Sequence, residues 1–116
     1  MEKKKIKVLD FLSDPLCVTV EDGQKIFDLI QPEIANNVPL EVSFERIDLI
    51  ISAFLNVAIG QLYGTFTEEK IGSLLSYSHL EEDDMELLRI VVANALRYYS
   101  NQENYDLAAQ EVLEYA

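Results

Sequence analysis

Tryptophan is absent from this 116-residue chain, histidine and cysteine occur once each, and proline only three times. A single cysteine, Cys17, cannot form an internal disulfide, so the fold must stand on packing alone, as in a reducing interior. The lone histidine, His79, leaves a histidine triad or a histidine-rich metal site without partners, and is read as a loop or cap residue. The four glycines, Gly23, Gly60, Gly64 and Gly72, match neither a phosphate-cradling loop nor a dinucleotide fingerprint. Basic residues are scarce too, 9 Lys and Arg against 21 Asp and Glu, for a formal charge of −12. Lys3, Lys4, Lys5 and Lys7 take four of the nine, so residues 8–116 hold 5 basic and 20 acidic side chains. Phosphate backbones require clustered cations, so nucleic acid is excluded as a partner and a protein is expected instead. No run approaches the ~20 apolar residues of a membrane helix, and the N-terminus lacks the apolar stretch of a secretory signal. No membrane role and a cytoplasmic location are therefore expected.

What is present is an ordinary globular composition, 49% hydrophobic and 26% charged, in one domain long enough to bury a core. "KIKVLDFL" and "LCVTV", separated by "SDP", read as two short strands of a hairpin. Ile26, Phe27, Leu29, Ile30 and Ile34 fall at helical spacing after an acidic start, with Pro32 set to kink the end and Asn36-Asn37 to stop it. Val38, Leu40, Val42 and Phe44 alternate as a strand. From Ser52, the residues Phe54, Leu55, Ala58, Ile59 and Leu62 form a wide apolar helical face ending at Gly64. Thr67-Glu68-Glu69 opens a short helix to about Gly72. Leu75 and Tyr77 alternate with Ser76 and Ser78 as another strand. Acidic Glu81 to Asp84 begin a helix with Leu88, Val91, Val92, Ala95, Leu96 and Tyr99 as its packing stripe, and Ser78 with Glu81 fits a capping box. A break near Asn101 should precede a terminal amphipathic helix bearing Tyr105, Ala108, Val112 and Tyr115. The order, strands alternating with helices, predicts an α/β domain with a mixed sheet of about four strands and helices packed mainly on one face. Residues 101–116 form a C-terminal extension packed on that domain.

Candidate chemistry is thin. Cys17 sits in an apolar strand with no base beside it. Glu81, Glu82, Asp83, Asp84 and Glu86 lack the ligand spacing and central glycine of a calcium loop and suit a helix N-terminus. No metal, cofactor or catalytic constellation is read, so no enzyme is expected. Ser52 stands apart, placed after a strand-loop unit at the start of a buried helix. Its hydroxyl could cap the first turn, or present a phosphoacceptor whose phosphate the free N–H groups would hold.

The stretch "LEVSFERIDLIISAFLNVAIGQLYGTFTEEKI", Leu40 to Ile71, resembles the STAS-like α/β family of unknown function, and the likeness runs over about residues 5–100. That family is similar to the STAS domains of bacterial anti-sigma-factor antagonists, in which a serine is phosphorylated by an ATPase-type kinase. With the closing glycine of their motif set on Gly60, the phosphoacceptor falls on Ser52 and the second serine on Ala53. Ile51 replaces the motif aspartate, and Phe54 and Asn56 replace small glycines. The resemblance implies a STAS-like single domain over residues 1–100 and a non-enzymatic regulatory or interaction module, partnered with an ATPase or kinase-like regulator. It also implies an interaction surface of Arg46, Asp48, Ser52 and Asn56. Two alternatives stay open: a small-ligand or nucleotide sensor, with Ser52, Asn56 and Arg46 converging, and a homodimeric subunit joined through the terminal helix.

Overall fold

A computed structural model describes the backbone of residues 3–115 and the side chains of residues 3–100. Its strands are β1 (Lys4–Lys7), β2 (Leu16–Cys17), β3 (Leu40–Ser43), β4 (Leu49–Ile50) and β5 (Leu75–Ser78). The helices are α1 (Val20–Ala35), α2 (Ser52–Ala58), α3 (Glu68–Leu74) and α4 (Glu82–Tyr115), with 3₁₀ turns at Val8–Phe11 and Gly60–Gly64.

The expected single mixed sheet is replaced by two parallel sheets, one of three strands in the order β1-β3-β5 and one of two, β2-β4. The hairpin expected of the first two strands does not form. The 3₁₀ turn after β1 carries the chain out of the first sheet, so β1 joins β3 while β2 joins β4. Parallel neighbours need long crossovers, and α1 supplies the one to β3 while α2, the second 3₁₀ turn and α3 supply the one to β5. β4 escaped the sequence pattern because two residues are too few to show alternation.

In the three-stranded sheet the register divides the faces. Ile6, Val42 and Tyr77 lie abreast, next to Leu40 and Leu75, on the face that meets the helices. Lys5, Glu41 and Ser76, and then Lys7, Ser43 and Ser78, lie abreast on the other, polar face. The buried residues of the helices, Ile26, Ile30 and Ile34 of α1 and Phe54, Leu55 and Ala58 of α2, complete a core shared with Leu88 and Val91 of α4.

Helix α1 is capped as its sequence allows, with Thr19 Oγ1 accepting from the Asp22 N–H at 3.0 Å. It runs through Pro32 to Ala35 and ends at Asn37, whose φ of 60° is the left-handed stop expected there. Thr67 caps α3 in the same way, accepting from the Lys70 N–H at 3.1 Å. The capping box at Ser78 is not formed, because the Ser78 hydroxyl bonds the Glu41 carboxylate at 2.7 Å. Nor does the break near Asn101 occur, since α4 is continuous to Tyr115. The packing face assigned to Tyr105, Ala108, Val112 and Tyr115 concerns side chains outside those described.

Candidate functional site

Two strand-to-helix units stand side by side. Strands β2 and β4 pair with Leu16 opposite Leu49 and Cys17 opposite Ile50, and each leads within three residues into a helix, α1 or α2. Cys17 and Ile50 face the core, leaving Leu16 half-buried and Leu49 51% exposed on the outer side. The two helices touch most closely near their starts. A Cβ built at Gly23 would lie 2.8 Å from the Phe54 carbonyl oxygen and 3.0 Å from Val57 Cβ, so only glycine allows this approach without a shift. The sequence offered no motif for Gly23, and its role is this contact.

The four proposed surface residues fall on that side of the molecule. Arg46 and Asp48 belong to the turn between β3 and β4, which closes with the Ile47 N–H donating to the Phe44 carbonyl at 3.1 Å. Arg46 holds a φ of 62°, a left-handed conformation uncommon for a residue with a side chain. The Asp48 N–H donates to the Pro15 carbonyl at 2.8 Å, tying the turn to the approach of β2. Ser52 and Asn56 lie one helical turn apart on the exposed face of α2, opposite Phe54, Leu55 and Ala58. All four are exposed, and among the described residues none enters a side-chain hydrogen bond or ion pair. Asn56 also opens onto a cavity of about 230 Å³ shared with Asn94 and Tyr98 of α4.

The helix-cap reading of Ser52 is corrected. Ile51 occupies the cap position, its side chain offers no acceptor, and Ser52 is the first residue inside α2. The hydroxyl is therefore exposed without a capping bond. The first turn of α1, the helix that packs on α2, carries Glu21 and Asp22.

Two groupings were invisible in the sequence. At the carboxyl ends of the three-stranded sheet, Glu45 Oε2 meets Lys7 Nζ at 2.8 Å and Glu45 Oε1 lies 3.8 Å from His79 Nε2. The Lys7 ammonium, hydrogen-bonded to Glu45, holds that carboxyl below its usual range. His79 has a φ of 58°, in the turn after β5. These three residues come from positions 7, 45 and 79, and only the parallel pairing of β1, β3 and β5 unites them. The second grouping is Tyr63 and Tyr77, whose hydroxyls are both pushed up in pKa by burial. Burial, with the nearby Asp22, Asp14 and Asp84 carboxylates, pushes the Cys17 thiol up to about 12, so it is a core atom and no nucleophile at neutral pH. Among the described residues no group of three or more His, Cys, Asp or Glu side chains is placed to hold a metal ion, and no helix is long and apolar enough to cross a membrane.

Parallel strands alternating with helices, one apolar sheet face covered, and a strand-to-helix unit leading into "SAFLN" define a small α/β domain of STAS type. The chain belongs to the family described as STAS-like domain of unknown function (DUF4325), whose model matches residues 22–85. The matched span runs from the first turn of α1 into that of α4 and contains Arg46, Asp48, Ser52 and Asn56. No curated protein and no solved structure matches the chain.

Proposed function

We propose that the protein is a non-enzymatic regulatory module that binds a partner protein, of the ATPase or kinase-like type, through the surface running from Arg46 to Asn56. The observation that carries this reading is the exposure of Leu49 in the middle of that surface. An apolar strand residue 51% exposed, in a segment whose Arg46, Asp48, Ser52 and Asn56 are exposed too, suits the apolar-centre, polar-rim arrangement of a protein interface. The unpartnered Ser52 hydroxyl lies on its border, open to a modifying enzyme. A phosphate there would add charge to an already acidic chain, and would act by repelling an acidic partner surface rather than by docking within the domain.

A photo-crosslinking side chain in place of Leu49, and in place of Asn36 at the far end of α1 as a control, tests the surface in the native host. One ATPase-type adduct from position 49, missing from position 36 and weakened by Arg46→Glu, supports the reading. Equal adducts from both positions, or none from position 49, overturn it. Phosphorylation predicts an intact species heavier by one phosphate that disappears in Ser52→Ala.

A further inference from the structure

Helix α4 packs on α2 and on the 3₁₀ turn at Gly60–Gly64 rather than along β5, the edge strand of the three-stranded sheet. The wedge left between them is a groove of about 360 Å³, walled by Tyr63, Tyr77, Met85, Leu88, Val92 and Leu96. That volume is at the small end of the range for ligand sites, which are concave, mostly apolar and fitted with a few polar groups. Here the polar groups are the Tyr63 and Tyr77 hydroxyls. Tyr77 comes from the helix-facing side of β5, abreast of Val42. Neither hydroxyl is hydrogen-bonded among the described residues, and neither is sealed from the groove as a fully buried orphan would be. Each phenol therefore keeps a donor that a bound group can take up in place of water.

We propose that this groove binds a small uncharged molecule with an apolar or aromatic body and a carbonyl or amide oxygen that accepts from Tyr77 and Tyr63. The donor role follows because a phenol is protonated at neutral pH, and burial only strengthens this. The exclusion of anions follows from the rim. Glu68 lies close enough to Tyr63 to raise its pKa, and the rim guanidinium, Arg89, is already paired with Glu86. A carboxylate would thus enter an apolar site with a carboxylate nearby, where Arg89, which lines the groove, is shared with Glu86. The site lies apart from the Arg46 to Asn56 surface and stands or falls independently of it.

The test is a methyl and amide NMR titration of the full chain with three probes of one shape: acetophenone, ethylbenzene and benzoate. The inference expects saturable shifts at Leu88, Val92 and Leu96, with acetophenone about five-fold tighter than ethylbenzene and benzoate weakest. Tyr77→Phe should equalise acetophenone and ethylbenzene. Tyr63→Phe gives the same reading should Tyr77→Phe fold poorly, and Val92→Trp, which fills the groove, should abolish binding of both. The inference is overturned by the absence of saturable shifts at these residues, by benzoate binding tightest, or by a carbonyl preference that survives both Tyr→Phe variants. Concentration-dependent shifts at the same residues without any probe would also overturn it, since a second copy would then cover the groove.

Discussion

At the scale of single residues, the structure separates glycines and hydroxyls that look alike in the sequence. Gly23 abuts the Phe54 carbonyl and Val57, whereas nothing lies within 4 Å of a Cβ built on Gly72 in α3. Gly23→Ala is therefore expected to lose about 1–3 kcal/mol by overpacking. Gly72→Ala should gain about 0.5–1 kcal/mol, because a helical glycine without a steric reason costs only entropy. Urea unfolding of the two variants checks both signs. Thr19 and Ser52 form a second pair. Thr19→Ala removes a formed cap and should cost about 1 kcal/mol, while Ser52→Ala removes an exposed hydroxyl that caps nothing and should stay within about 0.5 kcal/mol of the parent. A Ser52→Ala loss equal to that of Thr19→Ala would restore the cap reading. Cys17, with its thiol at about 12, should react with thiol reagents at neutral pH only as fast as the domain opens.

Among the elements, α4 depends on contacts that its own amphipathic stripe does not reveal. The Tyr99 ring lies over Gly64, with Cε1 only 2.5 Å from where a Cβ would be, while Ala95 and Val91 meet Gly60 at ordinary distances. Gly64→Ala should displace Tyr99 and loosen this part of α4 while leaving the sheet intact. Hydrogen exchange would show faster amides around residues 95–100 and unchanged ones in β3. The carboxyl ends of β1, β3 and β5 are linked by Lys7, Glu45 and His79, and this link has a definite pH sign. Glu45 has a folded pKa below its unfolded one, so its contribution is present above the unfolded value and lost as pH falls through the folded value. Lys7→Gln should thus be less stable than the parent at neutral pH, with the gap closing in acid, as urea midpoints at several pH values would record.

For the whole molecule, the −12 formal charge and a pI of about 4.3 set the solution behaviour more than any one ion pair. The ion pairs are on the surface and each is worth little. Self-repulsion among the acidic side chains should make the melting temperature rise with added sodium chloride through screening, which a thermal melt across salt concentrations measures. A melting temperature that falls with salt would mean that the attractive pairs outweigh the net charge.

Most helices and the longer strands were legible in the sequence, because Ile26, Ile30 and Ile34, or Leu40, Val42 and Phe44, declare their period locally, and the Asn37 and Thr67 ends were set by short-range chemistry, whereas the Thr19 cap lay hidden in a run that reads as strand. The STAS-like likeness was legible for a related reason, since its motif is one continuous segment from Leu40 to Ile71. The partition of five strands into two parallel sheets was not, because parallel pairing joins residues through long crossovers and leaves no local mark. The same holds for the site. Ser52 and Asn56 could be placed on one helical face from their spacing, but Ile51 taking the cap, Leu49 turning outward opposite Leu16, and Tyr63 meeting Tyr77 beside α4 follow from how the elements pack. Local periodicity is a property of the chain, whereas the meeting of distant residues is decided only when the core forms.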